Sequence, residues 1–151
     1  MNASKGSIRS KLAAALMLTA LLAVILVAAV GVRLIRQAAD EASLAELRRQ
    51  ADAIAAETTF VRRDPKQAVR FLRNALSLSQ AALYQLSDGT LSLVGGEPDV
   101  PLTHEDVASL SSGSHIEGKR STSAGDFVFV ARPIGGSGLV LVIGRESGGF
   151  L

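Results

Sequence analysis

The chain has no cysteine and no tryptophan, one tyrosine, five phenylalanines and only four prolines in 151 residues. Without cysteine there is no disulfide framework, no thiolate metal site and no thiol redox chemistry, so the compartment has to be read from other features. Aromatic residues make up 4% of the chain, and its basic residues are dispersed among 14 acids. A formal charge of +2 therefore comes without the basic, aromatic-studded face that nucleic-acid binding needs, and no nucleic acid is expected as a partner. Most of the basic residues are arginine and alanine is abundant, which reflects a GC-rich genome rather than a ligand. With 48% apolar and 20% charged residues the chain is too hydrophobic for disorder, and its length allows one domain plus an appendage.

What is present begins with a long apolar run. Residues 12–32, LAAALMLTALLAVILVAAVGV, carry no charge. As a helix rising about 1.5 Å per residue they match a hydrocarbon core of roughly 30 Å. A cleaved signal peptide is the rival, with Lys5, Arg9 and Lys11 as its basic end and Ala29-Val30-Gly31 as the cleavage site. Against it, the run is longer than a usual signal core and no polar, breaker-containing segment follows. The three cations before the run are unopposed, whereas Arg33 and Arg36 after it are soon met by Asp40 and Glu41. The positive-inside rule then predicts an inner-membrane protein with residues 1–11 cytoplasmic, 12–32 in the lipid bilayer and 33–151 extracytoplasmic.

Residues 33–60 are expected to continue this helix as a stalk, because from Leu34 to about Thr58 there is no glycine or proline. Leu44, Leu47, Ala51, Ile54 and Thr58 step by 3, 4, 3 and 4. That spacing fits the seam of a two-stranded coiled coil or the inner face of a helix lying on its own domain, and the sequence leaves both open. Arg48, Arg49 and Asp52 fall off the seam and read as a solvated face. Arg62-Arg63-Asp64-Pro65 should interrupt the helix and open a short amphipathic one, with Ala68, Val69, Leu72 and Leu76 on one side and Lys66, Arg70 and Arg73 mostly on the other.

Thereafter the hydrophobic period changes to two. AALYQLS and TLSLV flank Asp88-Gly89, a hairpin signal. Residues 95–101 read as a loop, and Thr103 with Asp106 three positions on forms a variant capping box opening a helix to about Leu110. Three more strands are predicted at 114–122, 127–133 and 139–143, the last two apolar on both faces and therefore central. The fold class is α+β.

This order, and the lines ALYQLSDGTLSLVGGEP, LTHEDVASLSSG and FVFVARPIGGSGLVLVIGR, resembles the extracytoplasmic PAS-like (PDC or Cache-type) sensor domain of bacterial two-component sensor histidine kinases. The resemblance covers essentially the whole chain and is one of architecture, not of a catalytic signature. It implies an antiparallel five-stranded sheet flanked by helices over residues 61–147, and a homodimer joined through the stalk. It also implies that residues 148–151, Gly-Gly-Phe-Leu, begin a second transmembrane helix leading to a HAMP linker and a kinase. On that reading the chain is the sensory part of a signal-transduction protein, truncated before its catalytic region. ATP, Mg and the cognate response regulator would belong to the missing region, and no cofactor to this chain. The alternative is a complete signal-anchored module that binds a ligand or protein with no kinase output. An all-helical coiled-coil scaffold is a further rival, disfavoured by the hairpin and the two apolar strands.

No catalytic residue is found in the sequence. His104-Glu105 faintly echoes a phospho-acceptor motif, but Asp106-Val107-Ala108 follow where a basic residue and a proline would stand, so His104 reads as a helix-start surface residue. His104 and His115 lack metal-ligand spacing, and Gly113-Ser114-His115 lacks the frame of a nucleophile elbow. Gly135-Gly136-Ser137-Gly138 lies between strands and reads as a turn. In the resembling domains a small-molecule ligand sits between the sheet and the segment joining strands two and three. The groups of this chain that could meet one are Tyr84, Lys119, Arg120 and Arg132. Arg132 is the sharpest, because it alternates with Val128 and Val130 and a cation on an apolar strand face needs a partner. Its plainer reading is a strand-end arginine whose head reaches water.

Overall fold

A computed structural model describes residues 3–76, 78–97 and 100–147. Helix α1 runs from Ala3 to Ala56. The chain divides into two units, Met1–Ala38 and Ala39–Leu151. In the first unit α1 exposes its apolar side chains on all sides, with Met17 77% and Val27 70% accessible. A helix apolar all round has no core to face, and this one is long and apolar enough to cross a membrane. The expected opening of a second span at 148–151 falls outside the described residues.

The second unit is built on one antiparallel sheet. Its strands are β1 (Gln80–Ser87), β2 (Thr90–Gly96), β3 (Ile116–Thr122), β4 (Gly125–Ile134) and β5 (Leu139–Glu146), in the order β2-β1-β5-β4-β3. Three further helices are α2 (Thr58–Arg63), α3 (Pro65–Ala75) and α4 (His104–Ser111). The five-stranded α+β architecture agrees with the sequence-based expectation. The apolar β5 lies between β1 and β4, and β4 is covered by β5 and β3, so both are interior strands.

The sheet separates two cores. On one face Leu47, Ala51 and Ile54 of α1, Val61 of α2, and Val69 and Leu72 of α3 pack on Ala81, Leu83, Val128, Val130, Leu141 and Ile143. On the other, Val100 and Leu110 cover Phe127, Phe129, Ala131, Val140 and Val142, with Tyr84, Leu86 and Ile116 at the margin. Strand alternation accounts for the division: Val128 and Val130 look one way, Phe127 and Phe129 the other. Of the two readings of the stalk seam, the structure realises the inner face of a helix on its own domain, with Leu47 fully buried.

Local chemistry explains the element boundaries. Asp88 and Gly89 both take positive φ, 51° and 73°, as a two-residue turn matching the twist of β1 and β2 requires. Asp64 caps α3 by accepting from the Gln67 N–H at 3.1 Å, with Pro65 in the first turn, where its missing N–H costs nothing. Gly96 ends β2 at φ 92°; a Cβ there would lie 2.2 Å from the Ala81 carbonyl oxygen, so no other residue fits. The stalk helix differs from expectation at its end: it stops at Ala56, with Glu57 at φ −96° and ψ 51°, before α2 begins. No glycine or proline marks this break. Its effect is to redirect the chain so that Val61 enters the core beside Ile54.

Candidate functional site

The interface between α1 and the sheet carries three ion pairs in a row. Asp40 accepts from Lys119 Nζ at 3.0 Å, Arg48 pairs with Glu117 through both its Nε (2.8 Å) and its Nη2, and Asp52 pairs with Arg132. Positions 40, 48 and 52 lie on one side of the helix because they differ by eight and four residues, while Glu117 and Lys119 share a face of β3. Charges on the helix run negative, positive, negative, and those on the sheet positive, negative, positive. Arg48 and Asp52 are each 51% exposed at the side chain, as the solvated-face reading expects, and each also has a partner on the sheet. Arg49 is 79% exposed at its side chain and pairs, among the described residues, with Glu46 one turn away.

Asp40 has a second partner. Ser147, at the end of β5, donates its hydroxyl to the other carboxylate oxygen at 2.7 Å. Burial opposes ionisation of Asp40, but the hydrogen bonds from Ser147 and Lys119 and the Lys119 charge outweigh it, holding the carboxyl below its ordinary range. The Arg48 hydrogen bond lowers Glu117 likewise, against a smaller cost of burial. Asp40 thus ties the helix to both the edge strand and the end of the central strand.

The opposite face is organised by Asp106. Thr103 Oγ1 accepts from the Asp106 N–H at 3.2 Å while Asp106 Oδ2 accepts from the Thr103 N–H at 2.8 Å, completing the expected capping box at the start of α4. Arg120 Nη2 donates to both Asp106 oxygens at 3.0 and 2.8 Å, and its guanidinium sits 5.4 Å from the Phe129 ring centroid. Burial works against the Asp106 charge, yet these donors prevail and its carboxyl is also held low.

The four sequence-predicted ligand contacts are accordingly divided by the sheet. Lys119 and Arg132 face α1 and are taken by Asp40 and Asp52; Arg120 and Tyr84 lie on the α4 face, Arg120 clamped by Asp106 and Tyr84 beside the second core. Arg132 pairs with Asp52 of the same chain while its side chain stays 38% exposed, as the strand-end reading expects. His104 and His115 are exposed, and no group of three or more potential metal ligands occurs among the described residues. Sequence reasoning used Asp40 only as a countercharge after the apolar run and did not single out Glu117. The alternating signs at 40, 48 and 52 were the available signal.

The row also fixes the axial register of α1. A slide of one turn, about 6 Å, in one direction would set Arg36 against Lys119 and Arg48 against Arg132. In the other direction it would set Asp52 against Glu117 and leave Lys119 and Arg132 facing Leu44 and Ala56. Exposed ion pairs contribute little each to stability, but like charges in both shifted registers make the observed one specific.

No family model, no curated protein and no solved structure matches the chain.

Proposed function

We propose that this protein is a membrane-anchored sensory module, in which the state of an extracytoplasmic α+β domain biases the helix that enters the bilayer. The observation that carries this reading is that one helix, α1, holds both the uncharged residues 12–32 and the residues that pair with the sheet, Asp40, Arg48 and Asp52. A change in the domain would then be felt where the helix meets it. It would do so through sideways or rotational adjustment or loss of pairing, since the charge row opposes a one-turn slide. Only a cue with different affinity for two arrangements of this interface would shift it.

The finer reading, the sensor portion of a two-component histidine kinase, rests on the sequence resemblance and is supported by the five-stranded antiparallel sheet with helices on both faces. A homodimer through the stalk would use the outward side of α1, because Leu47, Ala51 and Ile54 are occupied by the domain.

The absence of cysteine makes the topology directly testable. Ser123 lies exposed in the turn between β3 and β4, so Ser123→Cys gives a single thiol. A membrane-impermeant maleimide is expected to label it in cells with an intact inner membrane and permeabilised outer layers. Labelling only after the inner membrane is broken, or recovery of the chain as freely diffusing protein lacking residues 1–31, would overturn the proposal.

A further inference from the structure

Helix α3 buries Ala68, Val69 and Leu72 and turns Lys66, Arg70 and Arg73 to the other side. These cations form one wall of a groove of about 640 Å³ whose other wall is Leu93 to Glu97 of β2 and its end, with Val69 and Val94 lining it between the walls. The walls converge at Gly95, where a Cβ would stand 3.3 Å from both Lys66 Cα and the Pro65 carbonyl oxygen. Arg73 faces Glu97 at 3.5 Å, while Lys66 and Arg70 pair with no carboxylate among the described residues. The groove is therefore cationic on one side, with a mixed lining of Asn74, strand backbone and valine side chains.

Its second property comes from topology. β2 is an edge strand, so its outer rim presents backbone N–H and C=O groups with no neighbouring strand of this sheet. Along α3 the three cations rise by about 6 and 4.5 Å, from spacings of four and three residues. Alternate side chains of an extended chain recur at about 6.7 Å. An added strand with acids at alternate positions would set them along the cation row, and its intervening side chains would point to the other face of the sheet, where Leu93 is exposed. We infer that the α3–β2 groove receives an acidic, extended segment of a partner protein, added as a strand to β2 and read by Lys66, Arg70 and Arg73. An anionic lipid surface would attract the same cations, but a flat surface does not enter a walled groove or pair with a strand edge. This inference is independent of the membrane topology, since binding is measured on the purified chain.

The test uses the full chain in zwitterionic nanodiscs and a labelled octapeptide of alternating Glu and Val, with a Lys–Val octapeptide as control. The Glu–Val peptide is expected to bind with a Kd below about 1 mM, to weaken as salt is raised, and to slow amide exchange in residues 90–96. The exposed-site variant Lys66→Glu/Arg70→Glu, its fold checked by circular dichroism, is expected to raise that Kd about tenfold. Absence of saturable binding below about 1 mM, equal binding of the Lys–Val peptide, or protection of β3 instead of β2 would each overturn the proposal. So would a variant that loses co-flotation with anionic phospholipid vesicles while keeping its affinity for the peptide.

Discussion

Ser147 closes β5 by donating a 2.7 Å hydrogen bond to Asp40, more than a hundred positions earlier in the chain, and Lys119 meets the same carboxylate from the edge strand. One side chain thus joins the stalk to two strands that are not themselves neighbours. Replacing it by Asn keeps the shape and a hydrogen-bonding oxygen but removes the attraction to Lys119. Asp40→Asn is expected to cost about 0.5–1 kcal/mol in chemical denaturation followed by the sheet signal, the upper part of the range for partly exposed pairs. Asp40→Ala, which also removes the acceptor for Ser147, is expected to cost more. Equal effects would mean that the acceptor for Ser147 is immaterial, and no effect of Asp40→Asn would mean that the charge is.

The pH dependence follows from three carboxyls held low, Asp40, Asp106 and Glu117. Each binds a proton more readily in the unfolded chain than in the folded one, so their stabilisation is fully present above their ordinary values of 3.8 and 4.5. It is lost as pH falls from about 4.5 through the folded-state values. Thermal unfolding is expected to be flat from these groups between pH 5 and 7, roughly, and to fall steeply below about pH 4.5. Substituting Asp106→Asn should flatten part of that acid limb, and an unchanged limb would remove Asp106 from it.

Sign complementarity in the row predicts rescue. Arg48→Glu and Glu117→Arg each place like charges together and should lower the melting temperature. The double reversal restores opposite signs and should recover most of the loss, a coupling that additive surface effects would not produce. Asp52→Arg, which opposes Arg132, should resemble the single reversals.

Much of the domain was legible because its signals are local. The Asp88-Gly89 turn, the Thr103/Asp106 capping box and the two-sided apolarity of 127–133 and 139–143 need no distant residue to be read. The Glu57 break was not legible, since no glycine or proline marks it and the contacts it serves, those of Val61 in the core, form only in the fold. Nor was the partner of Arg132, because a strand and a helix far apart in sequence can be brought together only by the fold. One error was avoidable. Lys119 and Arg120 are adjacent in a strand, and adjacent strand residues point to opposite faces, so they could never have shared one pocket.

The capping box offers a clean separation of helix chemistry from sheet chemistry. Thr103→Ala removes the acceptor for the Asp106 N–H, and losses of this kind cost about 1 kcal/mol. Thr103→Ser should keep nearly all of the stability because it retains the hydroxyl.

Burial decides the last contrast, between neighbours on the stalk. Leu47 is fully buried against the sheet and Arg49, two residues on, is 79% exposed at its side chain. Leu47→Ala deletes packed methyl groups and leaves a cavity between α1 and the sheet. The expected cost is about 2–5 kcal/mol, a large part of the stability of a domain this size. Arg49→Ala loses only a pairing with Glu46 on its own helix and should stay within about 0.5 kcal/mol. If the seam instead faced a second copy of the chain, the unfolding midpoint itself would rise with protein concentration and Leu47→Ala would lower it at every concentration, whereas a seam closed within one chain predicts a midpoint independent of concentration. Denaturation at two concentrations at least tenfold apart, roughly, therefore distinguishes an interior seam from an intermolecular one.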